Sequence, residues 1–211
     1  RCITKHMASK VNEIVAGKYD HLGESIVYGD TDSVYFSAFK TLQKEIQDNV
    51  IQWTKDSVVG LYDKIAQEVN TSFTGFMSKA FHCPSTRGSV IKGGRELVAS
   101  KGLFITKKRY AVLYYDIEGN RTDTEGKEGK MKAMGLDLKR SDTPVFVQDF
   151  LSEILYMVLT GKNEQEVLEH ITTFRAQFKS RPGWEKGSPK RANNMTKYTE
   201  EEEKKGKTNM P

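Results

Sequence analysis

The sequence predicts an α+β fold, with an antiparallel sheet and packed helices in its first two thirds and a purely helical segment after them. Two patterns carry this prediction. Apolar residues recur at three- and four-residue intervals in several stretches, and short β-rich runs meet at turn-forming residues in two places. After Thr143 only the helical periodicity remains.

In chain order, Ile3, Met7, Val11, Ile14 and Val15 keep helical spacing up to Gly17, so the first element is a helix with one apolar face. Residues 25–28 and 33–36 are β-rich and joined by Gly29, Asp30, Thr31 and Asp32, the composition of a hairpin turn. Between Leu42 and Phe81, Ile46, Val50, Trp53, Val58, Leu61, Ile65, Val69, Phe73 and Phe76 predict one or two long helices, with a break near Val59 and Gly60. Past Cys83 and Pro84 the pattern turns to strands over 89–92, 96–99, 102–106 and 109–117, ending at the turn Glu118-Gly119-Asn120. A Gly, Lys and Glu loop over 122–130 precedes a short strand near 133–136. Thr143 and Pro144 then read as N-cap and first helical position. Val147, Phe150, Leu151, Ile154, Leu155 and Val158 form the apolar face of that helix, and Val167, Leu168, Ile171, Phe174 and Phe178 that of a second. Beyond Lys179 the composition is that of a loop or tail.

The chain's 211 residues, 37% hydrophobic, suffice for one substantial core or two small ones. A formal charge of +5 and a pI near 9.0 suit a polyanionic partner if the positive charges share a face. Cys2 and Cys83 stand far apart and suggest neither a disulfide framework nor a structural zinc site, which points to a reducing, cytoplasmic setting. No apolar run approaches the roughly 20 residues of a membrane span, so no membrane partner is expected. The chain opens on Arg1 and closes on a charged, core-poor run, which suggests a fragment.

Asp30 and Asp32 sit two residues apart at the hairpin tip, where both side chains would face one side if the strand conformation persisted through the turn. Paired hard oxygens of this kind suit Mg²⁺. Taken alone, Asp-Thr-Asp reads first as a polar turn, since Asp is an ordinary turn former. A calcium EF-hand loop is disfavoured, because the sixth and twelfth positions from Asp30 are Tyr35 and Thr41 rather than Gly and Glu.

The whole string Tyr28-Gly29-Asp30-Thr31-Asp32-Ser33, set between two β runs, resembles the third polymerase motif of family B DNA polymerases. The resemblance implies that Asp32 ligates the catalytic metals and that Asp30 plays a less direct part. Lys107-Lys108-Arg109-Tyr110 resembles the family's Lys-x-Tyr motif, with Lys108 and Tyr110 near the primer terminus; read alone, it is a solvated basic strand end. Glu96 resembles an acidic residue that some members place on the palm sheet close to the metals, although a lone Glu on a strand is usually surface. Met134-Gly135-Leu136 and the residues from Lys139 to Pro144 look like the palm-to-thumb junction of polymerases from large tailed bacteriophages. Residues 192–198 resemble part of their thumb.

By this resemblance, residues 1–140 form the carboxyl-terminal part of a palm and 141–211 the start of a thumb. The implied activity is template-directed addition of deoxynucleotides to a primer 3′ end, in phage DNA replication, with two Mg²⁺ ions, or Mn²⁺, as cofactors. Primer-template DNA and a deoxynucleoside triphosphate are the implied ligands. Tyr28, Thr31, Ser33, Lys107, Lys108, Arg109, Tyr110, Lys139 and Arg140 are the candidate DNA contacts, with ordinary helix-flanking charge as the alternative for the last two. The family's other palm motif, an Asp before Ser-Leu-Tyr-Pro-Ser, and its fingers motif do not occur in this sequence. The chain is therefore expected to be inactive alone and to need the segment that carries the other palm Asp and the fingers. The competing reading is a nonenzymatic DNA-binding or structural remnant of such a polymerase.

Overall fold

A computed structural model of the chain describes residues 1–124 and 126–187, the side chain of Lys139 excepted. The thumb-like string at 192–198 and the tail lie outside these residues. The fold is α+β, with antiparallel strands and packed helices. The chain divides into two compact units, one of Arg1–Lys108 with Val112–Lys132, the other of Arg109–Ala111 with the described residues from Ala133 onward.

In the first unit, helix α1 (Cys2–Ala16) ends at Gly17, whose left-handed backbone (φ 74) returns its N–H to the Glu13 carbonyl. Asn12, 2% exposed, ties this helix to the next element. Its amide donates to the Lys18 carbonyl at 2.7 Å and its oxygen accepts from the Ser25 hydroxyl at 2.7 Å. Gly23 is required here, because a Cβ would lie 2.1 Å from the Asn12 side chain. The chain thus enters β1 (Ile26–Gly29), which pairs antiparallel with β2 (Val34–Phe36) as the hairpin pattern predicts.

The expected break near Gly60 falls earlier. A short α2 (Gln43–Gln47) stops, and α3 (Lys55–Phe81) runs unbroken through Gly60 for 27 residues. The stop lies at Thr54, where a capping box starts the new helix: the Ser57 N–H donates to Thr54 Oγ1 at 3.2 Å and the Thr54 N–H to Ser57 Oγ at 2.9 Å. A glycine inside a helix costs only about 1 kcal/mol, and α3 regains more by packing. Its Ile65, Val69 and Phe73 bury against Val11 of α1, with Ile3, Met7, Ile14 and Phe36 around them. Each such buried side chain contributes roughly 1.5–3 kcal/mol.

After the single-turn α4 (Ser85–Gly88), residues 89–92 are irregular rather than a strand. The two predicted runs 96–99 and 102–106 are one continuous strand, β3 (Leu97–Thr106). It pairs with β4 (Arg109–Ile117), which in turn pairs with β5 (Asn120–Arg121) and β6 (Lys130–Met134). The β4–β5 turn falls at Glu118 and Gly119, both at positive φ (50 and 84). Val98 and Tyr115 pack with Val58 in a second core cluster.

The second unit carries a 3-10 turn (Asp137–Lys139) and helices α5 (Val145–Thr160), α6 (Glu164–Ser180) and the short α7 (Gly183–Lys186). Thr143 does not cap α5. Pro144 occupies the cap position, and the Thr143 hydroxyl donates to the Asp137 carbonyl at 3.2 Å. Gln148 folds back instead, its amide reaching the Thr143 carbonyl at 2.8 Å. Gly161 (φ 81) ends α5 and an Asn163–Glu166 capping box opens α6, so the two helices meet across a short loop. Their seam is aromatic, with Phe150 stacked on Phe174 at 3.7 Å and Phe146 against Phe174 and Phe178.

Candidate functional site

Tyr28 faces Tyr35 and Gly29 faces Val34 in the β1–β2 register. The Asp30 N–H donates to the Ser33 carbonyl at 2.9 Å, so the hairpin closes on Asp30-Thr31-Asp32-Ser33. Strand conformation does not persist through this tip, which corrects the same-side expectation for the two carboxylates. Their surroundings differ completely.

Asp30 is turned onto its own surroundings. Its Oδ1 accepts from the Thr31 N–H at 2.9 Å and the Thr31 hydroxyl at 3.3 Å, and its Oδ2 from the Tyr28 hydroxyl at 3.3 Å. The Lys108 ammonium stands 4.0 Å from Oδ1. Partial desolvation pushes the Asp30 carboxyl upward, but the Thr31 N–H, the Lys108 charge and the Tyr28 hydroxyl outweigh it and hold the group below the usual carboxylate range. Asp32 is exposed and makes no hydrogen bond or ion pair with any described residue. It lines a cleft of about 480 Å³ shared with Ser33, Phe36, Tyr62, Glu96 and Phe104.

Residues of both β2 and β3 line this cleft, yet the two strands belong to different sheets. Among the described residues β2 pairs only with β1, and β3 only with β4. Glu96 lies on the same cleft, but its carboxylate is held by the Lys132 ammonium at 2.5 Å. The structure does not gather Asp30, Asp32 and Glu96 into one ligand set; among the described residues no three carboxylate, imidazole or thiolate groups come together.

Lys107 and Lys108 form the turn between β3 and β4 rather than the start of a strand, and Arg109 opens β4, all three exposed. The turn is fastened to the first hairpin, since the Lys108 N–H donates to the Tyr28 hydroxyl at 2.9 Å. Tyr110, by contrast, is only 5% exposed and does not offer its ring to solvent. Arg140 is committed to acids: its guanidinium pairs with Asp142 at 2.7 Å and lies 3.8 Å from Asp137, and these bonds, Asp142 first, raise its pKa. Lys139 lies in the 3-10 turn. Sequence reasoning missed Thr4, whose hydroxyl donates to the Thr31 carbonyl at 2.7 Å and pins the hairpin tip to α1. Nothing in its helical pattern marks it, because the partner is 27 residues away.

Against known families, residues 2–183 match the model of DNA polymerase family B. The chain belongs to DNA polymerase family B. Among its relatives are the DNA-directed DNA polymerases of Escherichia phage RB69, 34% identical over 162 residues (71% of this chain), and of Enterobacteria phage T4, 28% identical over 211 residues (91% of this chain). DNA polymerase 037L of Invertebrate iridescent virus 6 is 26% identical over 169 residues, 80% of this chain. This family B chain spans 17%, 22% and 12% of the lengths of those three relatives. Within the matched span, the exposed Asp32 carboxylate is a hard anionic donor of the kind Mg²⁺ prefers, and it has no partner among the described residues. One such donor falls short of a complete set.

Proposed function

We propose that this chain is the carboxyl-terminal part of the palm, residues 1–140, and the start of the thumb, from 141, of a template-directed DNA polymerase acting in phage DNA replication in the host cytoplasm. In this reading it supplies half of a two-metal site and is inactive alone. The observation that carries the reading is the unpaired Asp32 carboxylate on the cleft lined by β2 and β3. Both strands have an edge without a partner among the described residues, and that supports the cleft as the place where the remaining polymerase segment, with the other palm Asp and the fingers, completes the site.

Asp32 is the residue that would hold Mg²⁺ or Mn²⁺, and Glu96, once released from Lys132, is the further candidate from this chain. When bound, such ions stabilise the charge that develops as the primer 3′ hydroxyl attacks the α-phosphate and pyrophosphate leaves. Asp30 keeps the tip in shape. Lys107, Lys108 and Arg109 bind the primer-template backbone through charge, in a sequence-independent and salt-sensitive manner. No helix among the described residues is long and apolar enough to cross a membrane.

Primer extension by the complete polymerase carrying Asp32→Asn tests the proposal. The expected loss is about 10³-fold, the scale for deleting one transition-state-stabilising group, with a much smaller loss for Asp30→Asn. Undiminished extension by Asp32→Asn would instead favour the nonenzymatic remnant.

A further inference from the structure

We infer that Tyr28 is a positioning residue whose hydroxyl latches the Lys107–Lys108 turn onto the carboxylate hairpin, with Asp30 as the acceptor that keeps the latch closed. The inference rests on the polymerase reading for its consequence and on geometry for its substance. One hydroxyl serves two distant groups: it accepts the Lys108 N–H at 2.9 Å, across 80 residues of sequence, and donates to Asp30 Oδ2 at 3.3 Å.

The ring beneath that hydroxyl is fixed from both hairpins. Tyr28 packs on Tyr35 of β2 at 6.0 Å and on Phe104 of β3 at 5.8 Å, and Tyr35 and Phe104 meet edge to face at 5.5 Å. Lys108 itself sits at φ 60, a backbone state a non-glycine residue keeps only when its surroundings impose it. On the other side of the tip, Thr4 holds the Thr31 carbonyl. The tip is thus fastened twice, and both fastenings leave Asp32 free.

The latch gives Asp30 a task that needs no metal. Its carboxylate oxygens are occupied by Thr31 and Tyr28, so the charge is spent on orienting the turn. Through it, the spacing between Asp32 and the two lysines is set, and that spacing decides whether a primer gripped by the lysines presents its 3′ end to Asp32.

The test uses Tyr28→Phe in the complete polymerase, because Phe keeps the aromatic packing and removes only the hydroxyl. Hydrogen exchange at the Lys108 amide is expected to quicken about 3- to 10-fold, the worth of one hydrogen bond, and KM for primer-template to rise by a similar factor, with a smaller change in kcat. Asp30→Ala should raise the same KM, Asp30→Asn, which keeps an acceptor oxygen, should raise it less, and Tyr28→Phe combined with Asp30→Ala should cost less than the two effects multiplied. Unchanged exchange at Lys108, a fall in kcat with no change in KM for primer-template, or fully multiplicative effects would each overturn the latch. Asp32→Asn in the same enzyme separates this from the underlying reading: if that variant stays active, the proposed part of Asp32 in the metal site fails, whatever Tyr28 does.

Discussion

Two places in the first unit bring aspartates close to other charges and treat them in opposite ways. At the first, Arg95 joins Asp63 of α3 at 2.6 Å to Asp116 of β4 at 2.5 Å, with Asp116 only 2% exposed and also accepting the Gly119 N–H at 3.1 Å. At the second, the hairpin tip, Asp30 is matched by hydroxyls, an amide and a lysine, while Asp32 has no partner among the described residues. A carboxylate as enclosed as Asp116 would be severely destabilising without a cation. Asp32 can stay unmatched because water solvates it, so its solvent exposure is what makes it available to a ligand from outside. The difference separates charge used to hold the fold from charge left open to solvent.

Substitutions that exchange these two fates should show their effects in order of size. The largest is Asp32→Asn, with its loss of about 10³-fold in extension by the complete polymerase and little change in denaturant stability. Arg95→Met comes next and should do the reverse. It strands Asp116 and is expected to lower the unfolding free energy by about 3 kcal/mol, part of which returns when Asp116→Asn is added. Denaturant unfolding of the three variants checks this, and equal stability for Arg95→Met and wild type would erase the contrast. A smaller effect belongs to Lys107→Ala, which should weaken primer-template binding and reduce the slope of log K against log salt by about 1. Anisotropy titrations at several salt concentrations read that slope, and no change in it would remove Lys107 from the phosphate contacts.

The smallest effect concerns Asp123. The Arg121 guanidinium, and then the Lys55 ammonium at 2.6 Å, hold its carboxyl well below the usual range. Because the folded-state value is depressed, the stabilisation is present above the ordinary carboxylate pKa and is lost as pH falls through the depressed one. Asp123→Asn should therefore melt slightly below wild type at neutral pH and converge with it in strong acid. A gap that persists undiminished to about pH 2 would contradict this linkage.

Much of the fold was legible because it follows from local pattern. The α1 stripe with its Gly17 stop, the first hairpin, β4 and its turn, and the paired helices after Thr143 all obey periodicities of two or 3.6. The misreadings arose where a weak local signal competed with a stronger one nearby. Gly60 looked like a break, whereas the Thr54–Ser57 capping box six residues earlier had already set the helix start. Residues 89–92 have strand composition but no strand partner among the described residues. At the site, the motif identified Asp30 and Asp32 together, and spacing alone could not tell them apart. What distinguishes them is Tyr28 and, far along the chain, Lys108, and such contacts have no signature in a local window. For the same reason Tyr110 and Arg140 looked available in sequence and prove buried in one case and ion-paired in the other.

The left-handed backbone of Lys108 sets a conflict for anyone who would make this protein more heat-resistant. A residue with a Cβ at φ 60 gives up about 1 kcal/mol that glycine would recover. A selection for survival at high temperature alone would therefore drift toward Lys108→Gly and lose a positive charge beside the carboxylate hairpin. Robustness and the primer retention proposed above would compete at this one turn, so a screen for durable variants has to score both together.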